Sequence, residues 1–391
     1  MRIIVCHNYY RNRGGSDFVF EDEVELLESR GHEVHRFTRD NEQFSLVGAL
    51  TAAAGTIWNR SASSELGDLV REIDADVVHF HNWLPQISQG AFHAAGRAGA
   101  AVVHTLHNYR FTCANGVLCR SGAVCEECVG KAIGWPALKH GCYHDSRAAT
   151  VPVVAALATH RALGTNNRVG DAIIVLSEFA RSKMIESGLA PDRLHVKPNF
   201  VDPDPGVQEG DGGYFAYIGR LTEYKGISTL VDAWNMMEDP PLLKIVGSGD
   251  LSHIVESAAS TNPKIEYLGQ VPMAEVPTIL GGASFSIMPS ITYEGFPKAI
   301  VESFAVGTPV IASDLGSLTE LIDTARTGFL FDAGDSGALA KAVESATAIS
   351  DLDTMRSASR RDFVDHYGVD RNYKLLMDIY ESAIKSRYDR T

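Results

Sequence analysis

The stretch YEGFPKAIVES, residues 293–303, holds two carboxylates, Glu294 and Glu302, eight positions apart around a Gly-Phe-Pro turn and Lys298. Apolar runs flank it, ASFSIMP before and TPVIASD after, so it reads as a loop and a helix between two buried strands. Pro297 suits the first position of that helix, with φ preset and no N–H to leave unpaired, and Gly307 suits its end. Such a helix aims unpaired N–H groups and a positive dipole end at the loop, a place for an anion and for a phosphate above all. Glu302, inside the helix, is suited to accept two hydrogen bonds from a ribose diol, and Glu294 sits in the loop beside whatever the phosphate carries. One helix end does not hold a diphosphate; two cations or a metal are needed. YIGRLTEYKGI supplies Arg220 and Lys225, five apart and directly after an apolar run, a planar fork and a point charge for phosphate oxygens. The glutamates alone would read as a solvated loop acid and a solvated helix acid. The Arg–Lys pair turns the reading towards function.

Four histidines fall in or beside two further apolar runs. His79 and His104 alternate inward and read as satisfied core groups. His81 and His107 fall at the carboxyl ends of strands, where open α/β sheets bind ligands. Residues 107–147 form a long irregular insert with five of the six cysteines, spaced C-x5-C-x5-C-x2-C-x13-C. Its C-x2-C pair, Cys125 and Cys128, is zinc-like, and Cys113 and Cys142 would complete a four-thiolate structural site. Disulfides and free thiols are the other readings; a cytoplasmic setting disfavours the disulfides. D-x-D matches at 74–76, 202–204 and 351–353 fall in turn or linker contexts, so a catalytic metal is not expected.

The elements that must position these groups are strands alternating with helices. RIIVC, EVHRF, DVVHF, AVVHTL and DAIIVL come first, then YFAYIG, LLKIVG, KIEYL, SFSIMP, PVIAS and GFLF. All are short and continuously apolar, as strands of a parallel sheet covered on both faces should be, with helical segments such as SDFVFEDEVELLESRGH as crossovers. Two such series in 391 residues imply two doubly wound α/β domains. The boundary falls in the Pro-, Asp- and Gly-rich stretch 195–213. Domains of 1–197 and 198–370 follow, and the helix-like segment 371–391 either braces the two or caps its own domain. LVGALTAAAGTIWN, with Trp58, reads as a short apolar helix that packs in the core. Net charge is −14, and it is uneven: residues 1–200 carry 20 Lys and Arg against 21 Asp and Glu, residues 201–391 carry 15 against 28. No basic stripe suits a nucleic acid, and any anionic membrane would meet the first half. No apolar run is long enough to span a bilayer, the N-terminus reads as a first strand, and a cytoplasmic protein is the default.

With these residues assembled, the chain resembles the family 4 retaining glycosyltransferases of GT-B architecture, two Rossmann-like domains facing across a cleft with a C-terminal helix crossing back. The resemblance rests on GG at 14–15, VVHFHN at 77–82, HTLHNYR at 104–110, PNFVD at 198–202, YIGRLTEYKG, IVGSGD, YLGQV and the E-x7-E of Glu294 and Glu302. The Cys-rich insert after HNYR narrows it to a subgroup. The resemblance implies transfer of a sugar, with retention and without metal, from a nucleotide-diphosphate sugar to a glycan, glycolipid or small molecule. UDP and GDP are the expected nucleotides. Arg220 and Lys225 would neutralise the diphosphate, Glu302 would bind the ribose and Glu294 would face the anomeric carbon. Gly15, Phe296 and Lys298 would complete the phosphate cradle, Gly295 would also contact the donor, and backbone at Val271 would meet the base. His107 would lie near the reacting sugar, with His81 and Asn108 on the acceptor side. Relatives often carry an acid directly after the paired glycines; here Ser16 stands there, with Asp17 next. The implied lobe closure would hinge near Pro198–Pro205. Peripheral contact with the inner face of a membrane fits a lipid-linked acceptor. A GT-B nucleotide-sugar epimerase and a non-catalytic nucleotide-sugar-binding subunit are the rival readings.

Overall fold

The computed structural model describes residues 1–10, 14–40, 54–208 and 213–390. Most of the LVGALTAAAGTIWN segment lies outside them. The strands are β1 (Arg2–Tyr9), β2 (Glu33–Asp40), β3 (Val77–Phe80), β4 (Ala101–Leu106), β5 (Cys119–Arg120), β6 (Ala123–Val124), β7 (Ala172–Val175) and β8 (Leu194–Val196). After these come β9 (Tyr214–Ile218), β10 (Leu242–Val246), β11 (Ile265–Gly269), β12 (Phe285–Met288), β13 (Val310–Ser313) and β14 (Gly328–Phe331). They form two six-stranded sheets, β2-β1-β3-β4-β7-β8 and β11-β10-β9-β12-β13-β14, and a small β5-β6 hairpin. Every pairing in the two large sheets is parallel. The fold is therefore α/β with two doubly wound sheets. The chain divides into one unit of Met1–Leu118, Cys125–Pro198 and Asn372–Thr391, and a second of Cys119–Val124 and Asn199–Arg371.

Each sheet buries both faces, because helical crossovers cover them. In the first unit Ile3, Val5, Val77 and Val103 point to one face, against Phe20, Val24 and Leu27 of the helix Gly15–Ser29. Leu376, Ile379, Tyr380 and Ala383 of the helix Val369–Tyr388 join that same layer. Ile4, Val78 and Val102 point to the other face, against Leu66, Phe92 and Val154. The alternation Ile3/Ile4 and Val77/Val78 is the period of two of a strand, with both phases apolar. In the second unit Phe215, Tyr217, Ile245 and Ile287 meet Leu230, Trp234, Leu339 and Val343. Trp234 is fully buried, and its indole N–H is satisfied by the carbonyl of Pro241 at 2.8 Å.

The orders of the strands locate the sites. The second sheet runs 3-2-1-4-5-6 in its own strand sequence, so the strand order reverses between β9 and β12. The first reverses between β1 and β3. Open α/β sheets bind ligands at the carboxyl ends of the two strands flanking such a reversal. β8, three residues long, has no counterpart among the runs read from the sequence. It is too short to show a period, and pairing with β7 rather than local pattern makes it a strand. Among the described residues no helix is long and apolar enough to cross a membrane.

Candidate active site

In the second unit the loop after β9 carries Arg220 and Lys225, and the loop after β12 carries Glu294, so the sheet reversal brings them together. Lys225 Nζ lies 2.7 Å from Glu294 Oε1, and Ser290 Oγ donates to the same oxygen at 2.6 Å. Both members of the pair are largely buried. Burial alone would push the Glu294 carboxyl up; Lys225, Ser290 and Arg220 outweigh it and hold the group below its ordinary value. Arg220 stays exposed, its guanidinium 5.6 Å from the centre of the Tyr224 ring and its carbonyl accepting from the Tyr217 hydroxyl at 2.9 Å. Ser317 Oγ donates to the Glu294 carbonyl at 2.8 Å and fixes the loop from the other side.

Two glycines make this convergence possible. Gly226 has φ +73°, and a Cβ there would sit 1.8 Å from the carbonyl oxygen of Pro289 at the end of β12. That close approach, with Ile291 N–H donating to the Tyr224 carbonyl at 3.0 Å, sets the Lys225 loop against the Glu294 loop. Gly247, at φ +132°, would place a Cβ 1.9 Å from the carbonyl oxygen of Gly219. The loops after β9, β10 and β11 are thereby braided through Gly219–Val246, Leu221–Ser248 and Gly247–Gly269 backbone bonds. Val271 lies beside this braid and packs on Val276, Leu280 and Val306.

The helix expected after Gly-Phe-Pro spans Lys298–Ala305. Pro297 is its cap and not its first residue, because ψ of 115° keeps it extended. Glu302 is within the helix and Lys298 is its first residue, while Phe296 is buried against Tyr367 and accepts from Asn199 Nδ2 at 2.9 Å through its carbonyl. Gly295 joins Glu294 to Phe296 in the loop. Lys225, Arg220 and Glu294 thus meet at one sheet reversal, with the start of the helix that carries Glu302 four residues past Glu294 in the chain, and two cations beside a helix start suit a diphosphate.

In the first unit the reversal between β1 and β3 holds a buried polar chain. His81 and His107 directly follow β3 and β4, and His81 Nδ1 lies 2.9 Å from His107 Nε2. Glu23, from the helix Gly15–Ser29, puts Oε1 at 2.9 Å from His79 Nδ1 and 3.0 Å from His81 Nε2, and Oε2 at 2.9 Å from Lys197 Nζ. Asn372 Oδ1 accepts from Lys197 at 2.9 Å, and Thr105 Oγ1 lies 2.7 Å from His79 Nε2. Glu23, His79 and His81 are the one group of three His, Cys, Asp or Glu ligand atoms within 4.8 Å among the described residues. Lys197 already supplies the positive charge there. Burial pushes the His81 imidazole down to about 4 and that of His104 to about 3, and drives His107 well below its ordinary value. Against burial, Lys197 with His79 and His81 holds the Glu23 carboxyl well below the usual range.

His79 and His104 are buried as expected of inward strand residues. Asn108 Oδ1 accepts from Arg110 N–H at 2.9 Å, shaping its own loop, and Asn108 lines a small pocket with His81, His107 and Arg110. Gly15 is the exposed first residue of its helix. Asp17 turns inward and accepts from Gly14 N–H at 2.7 Å, with its other oxygen 2.7 Å from His7 Nε2. Glu23, Lys197 and His7 were not singled out from sequence. Glu23 shares the buried face of its helix with Val19 and Leu27, four residues either side, and an acid on an apolar helix face was a readable signal.

None of the six cysteines forms a disulfide. Burial raises the Cys128 thiol, with Cys113 and Cys125 adding to it, so these three share one neighbourhood. The four cysteines Cys113, Cys125, Cys128 and Cys142 are not drawn within 4.8 Å as Glu23, His79 and His81 are, so the four-thiolate expectation meets no closed cage.

Comparison with known proteins agrees with the fold. The chain is similar over its whole length to solved glycosyltransferase structures: Anabaena HepE in complex with UDP (17% identity, TM-score 0.69, 98% of this chain and 100% of that one) and the sucrose-phosphate synthase of Thermosynechococcus elongatus (16%, 0.70, 99% and 100%). These likenesses show the GT-B fold. Among curated proteins it is 32% identical over 224 residues to the phosphatidyl-myo-inositol mannosyltransferase of Mycobacterium leprae, covering 54% of this chain and 59% of that protein. It is 31% identical over 216 residues to the alpha-maltose-1-phosphate synthase of Mycolicibacterium smegmatis, covering 46% and 55%. The alignments thus span about half the length of the curated relatives. Residues 13–205 match the family model Glycosyltransferase Family 4 and residues 212–348 match Glycosyl transferases group 1. The chain therefore belongs to the glycosyltransferases, with a Family 4 domain followed by a group 1 domain.

Proposed function

We propose that the protein transfers a sugar, with retention of configuration and without a metal, from a nucleotide-diphosphate sugar to a hydroxyl of a glycan, glycolipid or small molecule. The observation that carries this is the Lys225–Glu294 pair at 2.7 Å beside Arg220, at the reversal of the second sheet. In this reading Arg220, Lys225 and the N–H groups at Phe296 and Lys298 hold the diphosphate, and Glu302 takes the ribose diol. Backbone at Val271 meets the base, and Glu294 and Gly295 meet the sugar. His107 is the first unit's group for the reacting sugar, with His81 and Asn108 beside it and Gly15 as a further N–H for phosphate. The bond from the anomeric carbon to the phosphate oxygen breaks through an oxocarbenium-like state, stabilised by charges already in place. The acceptor oxygen bonds to that carbon on the same face and its proton passes to the leaving phosphate.

The similar HepE structures hold UDP or UDP-glucose, which makes UDP the first nucleotide to try. Calorimetric titration with UDP, GDP, ADP and dTDP in the presence of a chelator is the test. Binding of one of them, lost in Arg220→Ala and Lys225→Ala, is expected; no binding by any of the four would sink the diphosphate assignment. Proton NMR of the product from an α-linked donor should show an α linkage.

Peripheral membrane contact has its own observation. Trp135 is 63% exposed, and it lines a surface hollow with Lys131, Lys139 and Arg147 against one acid, Glu127. An exposed aromatic ringed by cations suits an anionic lipid surface. Co-sedimentation with anionic but not zwitterionic vesicles, lost in Trp135→Ser, is expected; equal sedimentation with both would remove this contact.

A further inference from the structure

We propose that Glu23 and His81 are positioning residues that fix His107 in its Nε2–H tautomer, leaving Nδ1 as a bare acceptor for a ligand hydroxyl. The proposal rests on the reading of His107 as a ligand-facing group and adds how that group is prepared. Lys197, 2% exposed, puts its ammonium 2.9 Å from Glu23 Oε2. A buried ammonium against a buried carboxylate keeps the carboxylate ionised, and an ionised carboxylate only accepts. His81 Nε2, at 3.0 Å from Glu23 Oε1, must therefore carry hydrogen. A neutral imidazole has one N–H, so the other nitrogen of His81 is an acceptor.

That acceptor has the partner this demands. His81 Nδ1 meets His107 Nε2 at 2.9 Å, which donates in turn. His107 then carries its hydrogen on Nε2, and Nδ1, which has no hydrogen-bonding partner among the described residues, is bare. The reverse arrangement would set the lone pair of His81 Nε2 against the Glu23 carboxylate at 3.0 Å in a site closed to water. A doubly protonated His81 would put a second full cation beside Lys197, and burial disfavours it. A bare Nδ1 accepts from a hydroxyl and repels phosphate and carboxylate oxygens. The polar chain thus makes His107 a reader of sugar hydroxyls and not an anion ligand.

The test is NMR of the full chain labelled with 15N-histidine, with the His107 signals assigned by their loss in His107→Gln. A pyrrole-like Nε2 and a pyridine-like Nδ1 are expected; a protonated Nδ1 at pH 7.5 would overturn the proposal without any variant. His81→Phe removes the acceptor and should give His107 a mixture of tautomers, with turnover down about tenfold or more. His81→Asn keeps an oxygen near the position of Nδ1 and should restore the single tautomer and most of the turnover. A single Nε2–H tautomer that persists in His81→Phe would also overturn it. If the tautomer is as stated but His107→Ala leaves turnover unchanged, the ligand-facing reading of His107 falls and the tautomer assignment stands.

Discussion

Lys225 and Glu294 are 69 residues apart in sequence and 2.7 Å apart in space, joined across the one pair of strands in the second sheet where the strand order reverses. Ser290 donates to the same Glu294 oxygen at 2.6 Å and helps to hold the pair. Lys225→Met removes both the phosphate contact and the charge that opposes burial at Glu294. The Glu294 carboxyl should then rise, and turnover should fall about 100-fold or more. Arg220→Ala should fall by a similar factor without moving Glu294 as far, because Lys225 makes the larger contribution there. Initial rates with saturating donor check both; a variant within about threefold of the parent would remove that cation from the cradle.

Glu302→Ala tests the ribose contact separately from the sugar. Each hydrogen bond to a charged acceptor is worth about 1.5–3 kcal/mol, so affinity for the bare nucleoside diphosphate should fall about 10-fold or more. Titration calorimetry reads it directly, and unchanged affinity would take Glu302 off the ribose.

The meeting of Lys225 with Glu294 was legible because its parts are local signals: an Arg–Lys pair after a strand, and an acid in the loop before a helix start. The polar chain of the first unit was only half legible. His81 and His107 stand at strand ends, where sequence reasoning looks. Their support does not: Tyr380 lies 2.8 Å from His79 across 301 residues, and Lys197 follows the three-residue strand β8, which carries no periodic signal. Burial on two-sided parallel strands erases the polar–apolar alternation that would mark such partners. The cysteine spacing decides less for a related reason. Spacing within an irregular insert constrains which thiols are near in sequence, and leaves open whether the loop closes into a cage.

Gly226 tests the geometry behind the Lys225 loop. Any side chain there meets the Pro289 carbonyl at 1.8 Å, in a left-handed conformation that already costs about 1 kcal/mol. Gly226→Ala should destabilise the second unit by about 2 kcal/mol or more and displace Lys225 from Glu294. Urea unfolding, read through the buried Trp234, is the measure; a change under about 0.5 kcal/mol would mean that the loop has room to shift.

Acid should loosen the first unit before the second. Burial holds His81 to about 4 and His104 to about 3, and pushes His107 down as well. Unfolded, these rings bind protons below about pH 6.5. Between 6.5 and about 4 the unfolded first unit therefore holds protons that the folded one refuses, and its stability falls as pH drops. Each such ring contributes a slope approaching ~1.4 kcal/mol per pH unit. Glu23 acts lower down. Its folded pKa is depressed, so its contribution is complete above the ordinary carboxylate range and is lost as pH falls through that range towards the depressed value. Every histidine with a displaced pKa among the described residues lies in the first unit. Hydrogen exchange read by mass spectrometry, corrected for intrinsic rates, should show β3 and β4 losing protection between pH 6.5 and 4.5 by more than about tenfold. β9 and β10 should change far less; equal loss in both sheets would mean that the buried histidines are not what sets the acid limit.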